Sequence, residues 1–115
     1  MQISIGLTFK VTVLTILLTA PNIGDANPLR GAGTMKCDAF IDLTKSHPSD
    51  DLIFYNWAQG FMSAMNVAAA EGKGRELGGD ADAQRRALLN YCEKNLEKHY
   101  IDSVIDFYRR LRIGG

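Results

Sequence analysis

The 115-residue chain has no surplus of charge: 13 Lys and Arg stand against 13 Asp and Glu. A net charge of zero removes the electrostatic case for nucleic acid or an anionic membrane as a partner. Histidine is scarce, limited to His47 and His99. Neither has ligand spacing to a cysteine or a neighbour that would make it a general base, so both read as solvated surface residues. Cysteine occurs twice, at Cys37 and Cys92, with no C-x-x-C pair, which argues against a zinc or dithiol site. The glycine-rich stretch from Gly72 to Gly79 lacks the Walker spacing and follows no apolar strand. It reads as a flexible surface loop rather than a phosphate cradle. No segment sustains a period-two alternation, so strands are not expected. These absences point to a protein that is not an enzyme and needs no cofactor or metal.

What the chain does have begins with an apolar run, Val11 to Ala20 (VTVLTILLTA), preceded by Lys10 and broken by Pro21 and Asn22. It is too short to span a bilayer and has the length of a signal-peptide core. Gly24 and Ala26 place small residues at −3 and −1 of a cut after Ala26. A buried amphipathic helix and a retained membrane anchor are the alternatives. Gly33-Thr34-Met35-Lys36 before Cys37 is no lipobox, so a lipoprotein is not expected. The expected organisation is residues 1–26 as a signal peptide, 27–33 as a flexible mature N-terminus and 34–113 as a single helical domain in the periplasm, with no membrane contact after cleavage. Removing Lys10 and Asp25 leaves 12 basic and 12 acidic residues. In an oxidising compartment Cys37 and Cys92 most simply form one disulfide, with two free core thiols as the alternative. The loop of about 55 residues would contribute roughly 4 kcal/mol on the chain-entropy model, a large share for so small a domain.

Four helices follow from the apolar spacing. Thr34 can cap a first helix from Met35 to about Lys45, with Cys37, Phe40 and Ile41 inward. Ser46-His47-Pro48 turns the chain. The longest candidate helix, Ser49 to Glu71, carries the only tryptophan, and Ser49 and Asp50 can cap it. Its apolar residues recur at Ile53, Trp57, Phe61, Ala64, Met65 and Ala68, with Phe54, Ala58, Met62, Met65 and Ala69 as a second row. So broad a stripe suits a central helix packed on more than one side, with Ala58, Gly60, Ser63 and Ala64 allowing close approach. Asp80 or Asp82 can cap a third helix, to about Glu93, with Leu88, Tyr91 and Cys92 inward. Leu96-Glu97-Lys98 opens a fourth, where Tyr100, Val104, Phe107 and Leu111 share a face. Asp102 and Asp106, followed by Arg109 and Arg110, read as a solvated face. The fold class is therefore all-α, a small four-helix bundle-like domain.

Met35-Lys36-Cys37-Asp38-Ala39-Phe40-Ile41-Asp42-Leu43 resembles the first-helix motif of the periplasmic acid-stress chaperones of the HdeA/HdeB family. Tyr91-Cys92-Glu93-Lys94-Asn95, with Lys98 and Tyr100, is similar to the block around that family's second cysteine, although Asn95-Leu96 stands where Asn-Pro is usual. The likeness covers about Met35 to Leu111. It implies one disulfide between the first and third helices. Trp57-Ala58-Gln59-Gly60-Phe61-Met62-Ser63 departs from the chaperones and resembles Rap1a-type immunity proteins, which neutralise toxins of the type VI secretion system.

The chaperone resemblance implies a protein that binds unfolded client proteins through an apolar surface exposed at low pH, with a homodimer possible at neutral pH. In strong acid the carboxylates are neutral and side-chain charge approaches about +14, which would oppose a dimer and loosen the fold. The immunity resemblance implies instead one specific toxin partner and a preformed surface. A third expectation is an exported interaction module. In each case Trp57, Phe61, Met62 and Met65 are the candidate client- or partner-binding residues, and as residues at helical spacing they are also candidates for core.

Overall fold

The structure, a computed structural model, describes residue 6 and residues 29–114. Apart from Gly6, the expected signal peptide lies outside the described residues. The rest forms the expected all-α fold: α1 (Cys37–Ser46), α2 (Asp51–Ala68), α3 (Ala81–Lys94) and α4 (Tyr100–Arg110), with short 3-10 turns at Ala32–Thr34 and Pro48–Asp50. A Cys37–Cys92 disulfide joins α1 to α3 across a Cα separation of 4.7 Å. Both cysteines are fully buried, so the crosslink lies inside the core.

The helix starts differ from their sequence-based positions, and backbone bonding explains why. Thr34 caps no helix; its hydroxyl donates to Gly31 O within the 3-10 turn. The first-turn amides of α1 are met by tertiary partners instead: Cys37 N–H donates to Lys98 O at 2.8 Å and Asp38 N–H to Leu96 O at 3.2 Å. That service holds Leu96 to Lys98 in a turn, so α4 begins at Tyr100 rather than Leu96. Asp102 caps it, accepting from His99 N–H at 2.9 Å. Ser49 and Asp50 do not cap α2. They lie in the 3-10 turn, and Asp50 has helical φ and ψ of −69° and −18° rather than the extended geometry of a capping residue. Asp80 does cap α3, accepting from Asp82 N–H at 2.9 Å.

Cys37, Phe40 and Ile41 of α1 meet Phe54, Ala58 and Met62 of α2, Leu88 and Cys92 of α3, and Tyr100, Val104 and Tyr108 of α4. Phe40, Phe54 and Tyr100 form the centre, with ring centroids 4.7 to 5.2 Å apart in tilted or edge-on pairs. Each such ring removed from water contributes about 1.5–3 kcal/mol. The loop from Gly72 to Gly79, expected to be a flexible surface loop, is fastened to the chain's C-terminal segment. Glu76 N–H donates to Arg112 O and Gly114 N–H to Gly74 O. Arg75 closes the end of α4 by donating to Arg109 O and Leu111 O, with its guanidinium 5.6 Å from the centre of the Tyr108 ring.

Candidate functional site

The rotation of α2 about its axis decides which of its residues face solvent. The inner face is the second row: Phe54, Ala58 and Met62 are buried. The row that began at Ile53, expected as the main inward face, lies at the border and beyond it. Ile53 is 63% exposed, Ala64 and Ala68 are exposed, and Trp57, Phe61 and Met65 are half-buried. From Leu52 to Ala70 the sequence holds no charged residue, so no charge marked the solvent side, and apolar spacing alone left the rotation open. Polar groups fix it. Tyr55 OH and Gln59 Nε2 both donate to Gln84 Oε1 on α3, at 2.8 and 2.9 Å. Gln84 Nε2 in turn donates to Leu77 O and Gly78 O at 3.3 Å. Two turns further along α2, the Asn66 side chain bonds both backbone groups of Arg75 and accepts from Tyr108 OH at 2.7 Å.

The outer face of α2 is in consequence apolar and uncharged. Ile53, Gly60 and Val67 recur every seventh residue, with Asn56 and Ala64 between them, and Val67 is 87% exposed. Leu52, 49% exposed, extends the patch at its N-terminal end. A side chain at Gly60 would meet no atom within 4 Å, so the glycine serves no contact within the domain. It was expected, with Ser63 and Ala64, to admit a neighbouring helix; all three instead face solvent, and only Ala58 of that group is packed. Trp57 and Phe61 stand along the edge of this face, stacked with centroids 5.3 Å apart and planes 11° from parallel. Met65 is beside them on the half-buried flank, whereas Met62 is fully buried and forms core in this state. Of the four candidate binding residues, the fold thus brings Trp57, Phe61 and Met65 to one edge and separates Met62 from it. The exposed residues that sequence reasoning missed, Leu52 and Val67, are detectable only through the uncharged run that contains them.

Two further clefts carry charged side chains. One of about 300 Å³ between α3 and α4 is lined by Asn90, Tyr91, Lys94, Asn95, Asp106 and Arg110, and there Arg110 is engaged by Asp106. Another of about 200 Å³ lies over the Arg85–Asp51 ion pair, which links α3 to α2 at 2.6 Å. The hydrogen bond that Arg85 donates to Asp51 is the largest influence on its guanidinium and raises its pKa above the ordinary value. Burial raises the Tyr100 phenol well above its usual 10, and its hydroxyl has no hydrogen-bond partner among the described residues. Burial also raises Tyr55 and Tyr91. His47 is exposed, and His99 stands 3.8 Å from the Asp102 carboxylate at the start of α4. Among the described residues no cluster of three or more His, Cys, Asp or Glu side chains is placed to hold a metal ion. Against known proteins, no family model, no curated protein and no solved structure matches the chain.

Proposed function

We propose that the protein is an exported, non-enzymatic binding protein whose preformed apolar face on α2 holds one folded protein partner at neutral pH. The observation that carries this reading is the outer face itself. It exposes Leu52, Ile53 and Val67 within a run that has no charged residue from Leu52 to Ala70. An exposed apolar surface of this kind is costly to leave in water and characteristic of an interaction site. The resemblance of Trp57–Ser63 to Rap1a-type immunity proteins gives the class of partner as a secreted toxin. A buried disulfide and the apolar Val11–Ala20 segment support export to an oxidising compartment such as the periplasm.

The bonds that hold α2 favour a fixed surface over an acid-opened one. Gln59, Gln84 and Asn66 carry no titratable group, and burial moves the Tyr55 phenol further above its ordinary pKa, away from the acid range. The acid-stress chaperone reading draws on a different observation, the Asp51–Arg85 pair between α2 and α3. One half-buried pair is worth about 1 kcal/mol, too little to release the helix unaided. The two readings separate in one comparison. The purified protein is titrated at pH 7 with the product of a toxin gene adjacent to its own, and is mixed at pH 2.5 with an aggregating client protein. The partner-binding reading expects one tight complex in the first and no suppression in the second. The reverse pair of outcomes would replace it with the chaperone reading.

A further inference from the structure

The cleft of about 300 Å³ between α3 and α4 is lined by no residue of α2 and so is separate from the docking face. Ala87, Asn90, Tyr91 and Lys94 fall at i, i+3, i+4 and i+7 and share one side of α3. Asp106 and Arg110, four apart on α4, form the opposite wall, and Asn95 joins them from the end of α3. Ala87 is the one lining residue without a polar side chain, and its methyl group leaves room that a longer side chain would fill.

Part of this lining is held and part is free. Asn95 Nδ2 donates to Tyr91 O at 2.8 Å, which fixes the carboxamide and leaves Oδ1 as an acceptor. Asp106 accepts from Arg110 and steadies a guanidinium that keeps further N–H groups to give. The Lys94 ammonium pairs with no carboxylate among the described residues, and the Asn90 carboxamide and the Tyr91 hydroxyl have no hydrogen-bond partner among them. Burial, and after it the carboxylates of Asp102, Asp106 and Glu97, raise the Tyr91 phenol above its ordinary pKa. At pH 7 it is therefore a neutral hydroxyl that can both donate and accept. With Lys94 and Arg110 set against Asp106, the cleft has a surplus of one positive charge.

Such a lining matches two features of a ligand at once. The unpaired ammonium and the steadied guanidinium suit a carboxylate. Asn90, Asn95 and the phenol set donors and acceptors side by side, as neighbouring hydroxyl groups require, and the half-buried Tyr91 ring offers an apolar surface to the C–H side of a sugar ring. The volume lies at the lower end of small-molecule sites and suits a single ring. A cation near a helix C-terminus also suits the dipole, but the dipole calls for no carboxamides or phenol around it. We propose that the α3–α4 cleft binds a sugar acid, a ligand of monosaccharide size with one carboxylate and several hydroxyl groups. Lys94 and Arg110 take the carboxylate, and Asn90, Tyr91 and Asn95 take the hydroxyls. The site does not depend on the reading of α2 as a docking face, and either can fail without the other.

Nuclear magnetic resonance titration of the full chain with D-glucuronate at pH 7 tests it, with D-glucose and acetate as probes that each keep one half of the chemistry. D-glucuronate should give saturable amide shifts confined to residues 87–95 and 106–110, with a dissociation constant below about 1 mM. It should bind at least about tenfold more tightly than either probe. Lys94→Gln removes the surplus charge at an exposed position and should weaken D-glucuronate at least about tenfold. Ala87→Met extends a side chain into the cleft and should remove binding, with the helical circular dichroism unchanged. Where Ala87→Met disturbs α3, Lys94→Gln decides alone, because an exposed lysine can be replaced without loss of the fold. The absence of saturable shifts up to about 10 mM D-glucuronate would overturn the proposal. So would D-glucose or acetate binding as tightly as D-glucuronate, or a folded Lys94→Gln protein that binds it as the wild type does.

Discussion

Gln84→Leu isolates the contact that sets the rotation of α2. Gln84 is 6% exposed, and its amide bonds both α2 and the 77–78 loop. Leucine has a similar volume and no polar atom. The substitution removes two bonds of good length, from Tyr55 and Gln59, and two longer ones of 3.3 Å to Leu77 O and Gly78 O. The shorter pair counts about 1 kcal/mol each and the longer pair about half that each, for a gross loss of roughly 3 kcal/mol. Apolar burial of the leucine offsets about 1 kcal/mol, which leaves a net cost of about 2 kcal/mol. For a domain of this size that lowers the melting temperature by about 10 °C. The assay is urea denaturation followed by Trp57 fluorescence. The cost should be equal at pH 4.5 and pH 7.5, because neither amide titrates and burial keeps the Tyr55 phenol protonated well beyond that range. A cost under about 0.5 kcal/mol would refute the claim that this network holds α2. A cost that changes between the two pH values would refute its independence of charge.

Three further outcomes follow from the core and the ion pairs. Cys92→Ser should cost about 3–4 kcal/mol, read from the denaturation midpoint, since it opens the 55-residue loop and leaves Cys37 as a buried thiol. Asp51→Asn should cost only about 1 kcal/mol at neutral pH, and a double-mutant cycle with Arg85 should return the same small coupling. Tyr100 makes the protein sensitive to alkali. Its folded pKa lies above the unfolded value of 10, so the unfolded chain gives up its proton first and stability present below pH 10 is lost as pH rises beyond it, by about 1.4 kcal/mol per pH unit for this group. Tyr100→Phe removes an unpartnered hydroxyl, should be neutral or stabilising at pH 7, and should flatten the loss of stability above pH 10.

The four helices and their inner rows on α1, α3 and α4 were legible because polar and charged residues there break the apolar pattern and mark the solvent side. Cys37, Phe40, Ile41, Leu88, Cys92, Tyr100 and Val104 are buried as their spacing implied, whereas Tyr91, Phe107 and Leu111, expected inward with them, are half-buried and Tyr108 takes the inner position near the end of α4. On α2 the same method found the helix and misplaced its face, because residues 52–70 offer no charge to orient it. Its rotation depends on Gln84, Asn66 and Arg75, polar residues whose partners lie 9 to 42 positions away in sequence. The helix starts were obscured for a related reason. Thr34, Ser49 and Asp50 have the chemistry of caps, but the amides of α1 are served by carbonyls of the 96–98 turn, a tertiary arrangement that local sequence does not encode. The candidate site was half legible: Trp57, Phe61 and Met65 reach the edge of the exposed face, and Met62 is in the core.

The central claim is that the outer face of α2 is a preformed docking surface, and Ile53→Asp addresses it most directly. Ile53 is 63% exposed, so the change should leave the melting temperature within about 3 °C of wild type, as expected for a surface substitution. It places a charge on the N-terminal part of a face that has none from Leu52 to Ala70. Calorimetric titration at pH 7 against the purified product of any toxin gene found beside its own should give a tight wild-type complex and a dissociation constant raised at least tenfold, about 1.4 kcal/mol or more, for the variant. An unchanged dissociation constant for the folded variant would contradict the claim.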